Sequence, residues 1–248
     1  MKKYYFVLAL VLSSTSILGD GFELLLESVQ IWDFDTAAEL IKKGVPAARA
    51  RDVSSHLEKY ITEKGSYKPK CISLEELALL TIVYWDFDDK FAIGEMIVNK
   101  KIVQKCINAF TKMLKARYPI KKIVLIDEYD ASDDRSMEDD NSSALCCRVI
   151  TGHEKKKNPT WSKHSYGTAI DINPVENPYE KPYKGLVLPA NGKDYTDRSI
   201  VKKGMIIAGD ACHKAFTEEG FEWGGDWDPS PPNGRVDYQH FDIDLENL

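Results

Sequence analysis

Trp161-Ser-Lys-His164-Ser-Tyr-Gly167-Thr-Ala-Ile-Asp171-Ile-Asn-Pro174 is the stretch on which the fold turns. From Thr168 it alternates as a strand, with Ile170 and Ile172 on one face and Ala169, Asp171 and Asn173 on the other, so Asp171 points away from the apolar side. A straight strand would send His164 to the opposite face. Gly167 permits a bend that brings the imidazole alongside the carboxylate. Residues 239–243 repeat the device, with Phe241 and Ile243 facing one way and His240 the other. Two short strands thus offer two imidazoles and one carboxylate. That set suits zinc and leaves a fourth position for water, the arrangement of a catalytic site. Structural zinc sites are usually closed and Cys-rich, and no cysteine lies within three residues of these ligands. Iron in the same type of triad is the competing metal.

Outward from this stretch, Pro and Gly punctuate loops between short strands over residues 159–234. Upstream, residues 82–87 and 95–98 are expected strands around an Asp88-Asp89 turn. Residues 101–117 are an expected helix with Ile102, Cys106, Phe110 and Met113 on one face, and residues 123–126 a buried strand. The acidic residues 127–140 read as a solvated loop, because their spacing is irregular and the Gly that a calcium loop requires is absent. Residues 22–64 read as two or three short helices, with Asp35 a candidate N-cap, Gly44 a stop and Pro46 opening the next stretch. The expected class is α+β.

The 248 residues are 43% hydrophobic and 29% charged, enough apolar mass for one sizeable core. The formal charge of -6 argues against nucleic acid, whose binders cluster Lys and Arg. Lys2 and Lys3, the apolar run 4–12 and the small residues through Gly19 form the three regions of a secretory signal, with Ser16 and Gly19 equally good cleavage points. The run falls short of the roughly 20 residues needed to span a bilayer. The expectation is export to the periplasm or the exterior, with no stable membrane span after cleavage. Five cysteines with no C-x-x-C pair allow one or two disulfides of unreadable pairing.

Ser162-x-His164-x-x-Gly167-x-Ala169-x-Asp171, Trp223-Gly-Gly-Asp-Trp227 and Asp237-Tyr-Gln-His240-Phe241 together resemble the signature of the D-alanyl-D-alanine carboxypeptidase and L-alanyl-D-glutamate endopeptidase family, which includes vancomycin-resistance carboxypeptidases and phage endolysins. The resemblance extends through residues 88–99, Arg135-Ser-Met137 and Asn141-Ser-Ser-Ala-Leu-Cys-Cys-Arg148, and so covers residues 80–243. It implies the Hedgehog/DD-peptidase fold, a small antiparallel sheet packed with helices. The implied division is a signal peptide over 1–19, a helical N-terminal region over 20–79 and a zinc peptidase domain over 80–248.

By the same resemblance His164, Asp171 and His240 would hold Zn2+, and Asp237 would be the general base. Arg148 would lie near the substrate, stabilising an oxyanion or binding a carboxylate. Its structural alternative is an ion pair with the acidic stretch. Ser162 and Tyr166 would orient the ligands or the substrate, and Trp223 and Trp227 would wall the cleft. Residues 153–158 and 228–235 depart from the family pattern by lengthening loops beside the cleft. The implied activity is hydrolysis of a peptide bond in peptidoglycan stem peptides by a monomer, of carboxypeptidase or endopeptidase type. The alternative function is a non-catalytic zinc-stabilised cell-wall binding module, which would have no need of a proton acceptor such as Asp237.

Overall fold

Residues 21–64 form three short helices, α1 (Gly21–Gln30), α2 (Phe34–Lys42) and α3 (Ser55–Lys64), with a strand, β1 (Ala48–Asp52), between the second and third. The computed structural model describes residues 21–150, 157–244 and 246. Asp33 rather than Asp35 caps α2, accepting from the Thr36 N–H at 3.1 Å. Asp35 sits in the first turn instead, where the helix dipole favours an acid. Ser54 caps α3 and Gly65, left-handed, closes it.

β2 (Leu77–Trp85) and β3 (Phe91–Asn99) form a hairpin around the expected Asp88-Asp89 turn, and β1 pairs antiparallel with the free edge of β2. β2 begins earlier than the expected 82–87 because Leu77-Ala-Leu-Leu80 is buried on both faces and shows no alternation. The β1–β2 pairing crosses the expected division at 79/80, so residues on both sides of that division share one sheet. α4 (Val103–Lys115) lays Cys106, Phe110 and Met113 into the main core.

Residues 123–126 are not a strand. Ile123 makes one bridge, to Ser142, and Ile126 opens a single helical turn. Of the acidic residues beyond, Glu128, Asp130, Asp134, Glu138 and Asp139 are exposed as expected, while Asp127 and Asp140 are drawn inward. Asp127 is 1% exposed and accepts from the Ser66 hydroxyl at 2.8 Å, while Asp140 accepts from the Val175 N–H at 3.0 Å. Between them lies α5 (Asp133–Glu138), capped by Ser132.

The remaining strands are two or three residues long: β4 (Ala169–Asp171), β5 (Tyr179–Lys181), β6 (Leu186–Leu188), β7 (Glu222–Trp223), β8 (Val236–Asp237) and β9 (His240–Asp242). They make two antiparallel sheets, in the orders β4-β9-β7 and β6-β5-β8. α6 (Ala211–Thr217) backs the first, with Phe216 stacked on Phe241 at 4.6 Å and edge-on to Phe110 at 5.8 Å. One disulfide, Cys71–Cys147, joins the loop after α3 to the segment leading to Arg148. Cys106, Cys146 and Cys212 are buried and free. Among the described residues no helix is long and apolar enough to cross a membrane. The expected signal segment and residues 151–156, with most of the lengthened link, lie outside the described residues.

Candidate metal centre

Asp171 lies directly opposite His240 in the β4–β9 register, so their side chains share one face while Ile170 and Phe241 enter the core from the other. His164 arrives on a helical turn, residues 163–166, that Ser162 caps and Gly167 ends at φ 65°. A Cβ on Gly167 would lie 2.8 Å from the Asn99 backbone nitrogen, so the bend that delivers His164 admits no side chain. On the other edge of β4, Ser143 and Asp171 exchange backbone hydrogen bonds of 2.9 and 3.0 Å.

The three ligand-type side chains form a compact triangle, with a different Asp171 oxygen facing each histidine. His240 Nδ1 lies 2.9 Å from Asp171 Oδ1, His164 Nε2 3.1 Å from Asp171 Oδ2, and the two nitrogens are 3.2 Å apart. Zinc bonds of about 2.0–2.1 Å in a tetrahedron separate ligand atoms by about 3.3 Å, so the triangle fits that ion. Both outer ring nitrogens are engaged. His164 Nδ1 lies 2.6 Å from the Ala144 carbonyl oxygen and His240 Nε2 3.2 Å from Asp242 Oδ2, contacts that aim the inner nitrogens as lone-pair donors at a shared point. Asp242 escaped the sequence reading, although it sits two residues from His240 on the same strand face.

Burial acts to raise the Asp171 carboxyl, but the two histidines outweigh it and hold the group far below the usual carboxylate range. Burial acts to lower His240, and hydrogen bonds to Asp171 and Asp242 overcome it, raising the imidazole to about 10. The face thus demands positive charge.

Asp237 is held where a Cβ on Gly224 would lie 2.9 Å from its own, so that motif glycine is the space it occupies. Its Oδ1 is buried and has no hydrogen-bond partner. Burial pushes the carboxyl up to about 7, with the charge of Asp171 adding to the rise and His240 and Arg148 opposing it. Arg148 makes the ion pair of its structural alternative, to Asp133 on α5 at 2.8 Å, yet its Nε is buried without a partner. Ser165, unmarked by the sequence reading, clips the Arg148 backbone: its hydroxyl accepts from the Arg148 N–H at 3.0 Å and donates to the carbonyl at 2.7 Å.

The residues expected to orient the ligands or the substrate, or to wall the cleft, have partners within the fold. Ser162 accepts from the His164 N–H, which makes it a turn cap. Tyr166 packs against the second apolar cluster, around Leu77, Leu79 and Ile97. Trp223 belongs to the core rather than the cleft wall: it is 6% exposed, stacks on Phe241, and spends its indole N–H on the Tyr238 carbonyl at 2.8 Å. The burial of its strand partner pulls it inward. Trp227 is the tryptophan at the centre, its ring 5.6 Å from that of His240.

Residues 155–243 match the family model described as D-alanyl-D-alanine carboxypeptidase. That match bears out the family resemblance. The matched segment holds the metal-type triad, Asp237, Trp223 and Trp227, while Arg148, Asp133 and the N-terminal helices lie before it. No curated protein and no solved structure matches the chain. The match supports a peptidase acting on peptidoglycan, and the His164, Asp171 and His240 group could hold a metal ion.

Proposed function

We propose that this chain is an exported zinc peptidase that hydrolyses a peptide bond in peptidoglycan stem peptides, of the D-Ala-D-Ala carboxypeptidase or L-Ala-D-Glu endopeptidase type. The observation that carries the reading is the buried, unpartnered Oδ1 of Asp237 in the field of a two-histidine, one-carboxylate triangle of zinc dimensions. His164, Asp171 and His240 would hold the ion, which supplies Lewis-acid polarisation of the carbonyl and a more acidic water. Asp237 Oδ1 takes the proton of the attacking water and later delivers it to the leaving amine, a task suited to a carboxyl titrating near neutrality. Arg148, fixed through Asp133 and Ser165, turns its free Nε–H toward the oxygen that gains charge. Trp227 shields His240 from water on one side. A binding module would retain the triangle but would have no reason to bury an unpaired carboxylate beside it, at a cost of several kcal/mol.

The test is mass spectrometry of purified muropeptides after digestion, because the mass lost identifies the bond. Asp237→Asn removes the proton acceptor while preserving size, so turnover should fall at least about 100-fold with metal content and fold retained. Cleavage within a few-fold of the parent rate would remove Asp237 from the chemistry.

A further inference from the structure

β5 brings to Asp237 a set of side chains that the proposed chemistry does not use. Its register on β8 sets Tyr179 opposite Asp237 and Glu180 opposite Val236. Directly opposed residues share a face with Cβ atoms about 4.5–5.5 Å apart, so Tyr179 stands beside the unpartnered carboxylate. Lys181, two residues on, faces the same way, and its Nζ lies 5.5 Å from the centre of the Tyr179 ring. One step back from β8, Arg235 has the parity of Asp237. Its guanidinium sits 4.7 Å from the centre of the Trp227 ring, which in turn rests against His240. The same register, continued one step, sets Lys181 across from Arg235.

Two basic side chains near the centre are already neutralised: Arg148 by Asp133 and Lys163 by Asp244. Lys181 and Arg235 are different. Among the described residues neither has a carboxylate within ion-pair distance, and the Tyr179 hydroxyl makes no hydrogen bond. Tyr179, Lys181 and Trp227 are half-buried and Arg235 is exposed, so the group is open to a ligand. Two unpaired cations, each held over an aromatic ring, thus flank a half-buried carboxylate with which neither is paired. Cations so placed attract an anion, and the rings offer flat apolar surface to the chain that carries it.

We propose that Tyr179, Lys181, Trp227 and Arg235 form a subsite that binds a carboxylate of the peptide substrate next to the scissile bond. The inference rests on the reading of Asp237 as the proton acceptor for the location of that bond. It places substrate choice in the β5–β6 hairpin and in the lengthened loop 228–235, outside the metal-binding strands.

The experiment compares three N-acetylated D-alanyl peptides: one with a free C-terminal carboxylate, one amidated but carrying a D-glutamyl side carboxylate, and one amidated with none. Calorimetric binding to the zinc-loaded full-length Asp237→Asn protein needs no turnover. One carboxylate peptide should bind about tenfold more tightly than the carboxylate-free peptide, with the advantage shrinking as salt rises. Adding Lys181→Gln and Arg235→Gln should abolish the advantage without changing zinc content or circular dichroism. Which carboxylate is preferred tells a terminal from a side-chain anion. Equal or absent binding of all three, or an advantage that survives the double substitution, overturns the subsite. If the parent leaves purified muropeptides uncleaved while the preference and its loss are seen, the peptidase reading falls and the group stands as an anion-binding site alone.

Discussion

The β1–β2–β3 sheet and the β4–β9–β7 sheet each have three antiparallel strands, but different physics holds them. In the first, β2 and β3 run nine residues and most of their side chains are buried. Each fully buried Leu or Ile there contributes about 1.5–3 kcal/mol. In the second, no strand exceeds three residues, and the ladder is too short to stand alone. Ile170 and Phe241 anchor its apolar face in the shared core, while its polar face closes on Asp171, His164 and His240. The first sheet supplies rigidity. The second draws on that rigidity to keep ionisable groups where burial alone would reject them.

The contrast between the sheets breaks most sharply at Phe110, which is 1% exposed between the two regions. Phe110→Ala should cost about 3–5 kcal/mol of stability, read by denaturant unfolding, with zinc per folded molecule unchanged. Parallel loss of zinc from the folded fraction would mean that the two regions are not separable. Next in size, added zinc at a hundredfold excess over Kd should stabilise the parent by about 2.7 kcal/mol, and His164→Ala should abolish that gain. Melting with and without chelator measures it, and a metal-dependent shift that persists in the variant would remove His164 from the ligand set.

The smallest effect is a slope. Burial and then the neighbouring Asp140 raise Glu176 to about 8, with Tyr195 hydrogen-bonded to it and Lys121 and Lys122 acting on Asp140. The folded state holds this proton where the unfolded state has lost it, so stability should fall as pH rises from about 4.5 to about 8. Glu176→Gln, neutral throughout, should flatten that fall in melting temperature across the same range. An unchanged slope would show that the pair relaxes apart instead.

Strand parity made the placement of Asp171 and His240 legible. In residues 168–173 and 239–243 apolar side chains alternate with polar ones, and the faces so assigned are those observed. Asp242 was readable by the same parity. The Arg148–Asp133 pair was not, because a charge run does not say which of its members turns inward. The β5–β6 hairpin escaped notice because three-residue strands carry too little period to register. Residues 123–126 misled in the opposite direction: a short apolar run fits a strand and a buried turn equally well.

The Cys71–Cys147 link closes a span of 76 positions that contains the exposed Asp88-Asp89 hairpin tip, all of α4 and the acidic segment. A backbone cut anywhere inside that span opens a ring instead of releasing a fragment. The two ends stay tethered within a few residues of Arg148, and the severed strands remain at high effective concentration for each other. Nicking and loss of function thereby become separate events.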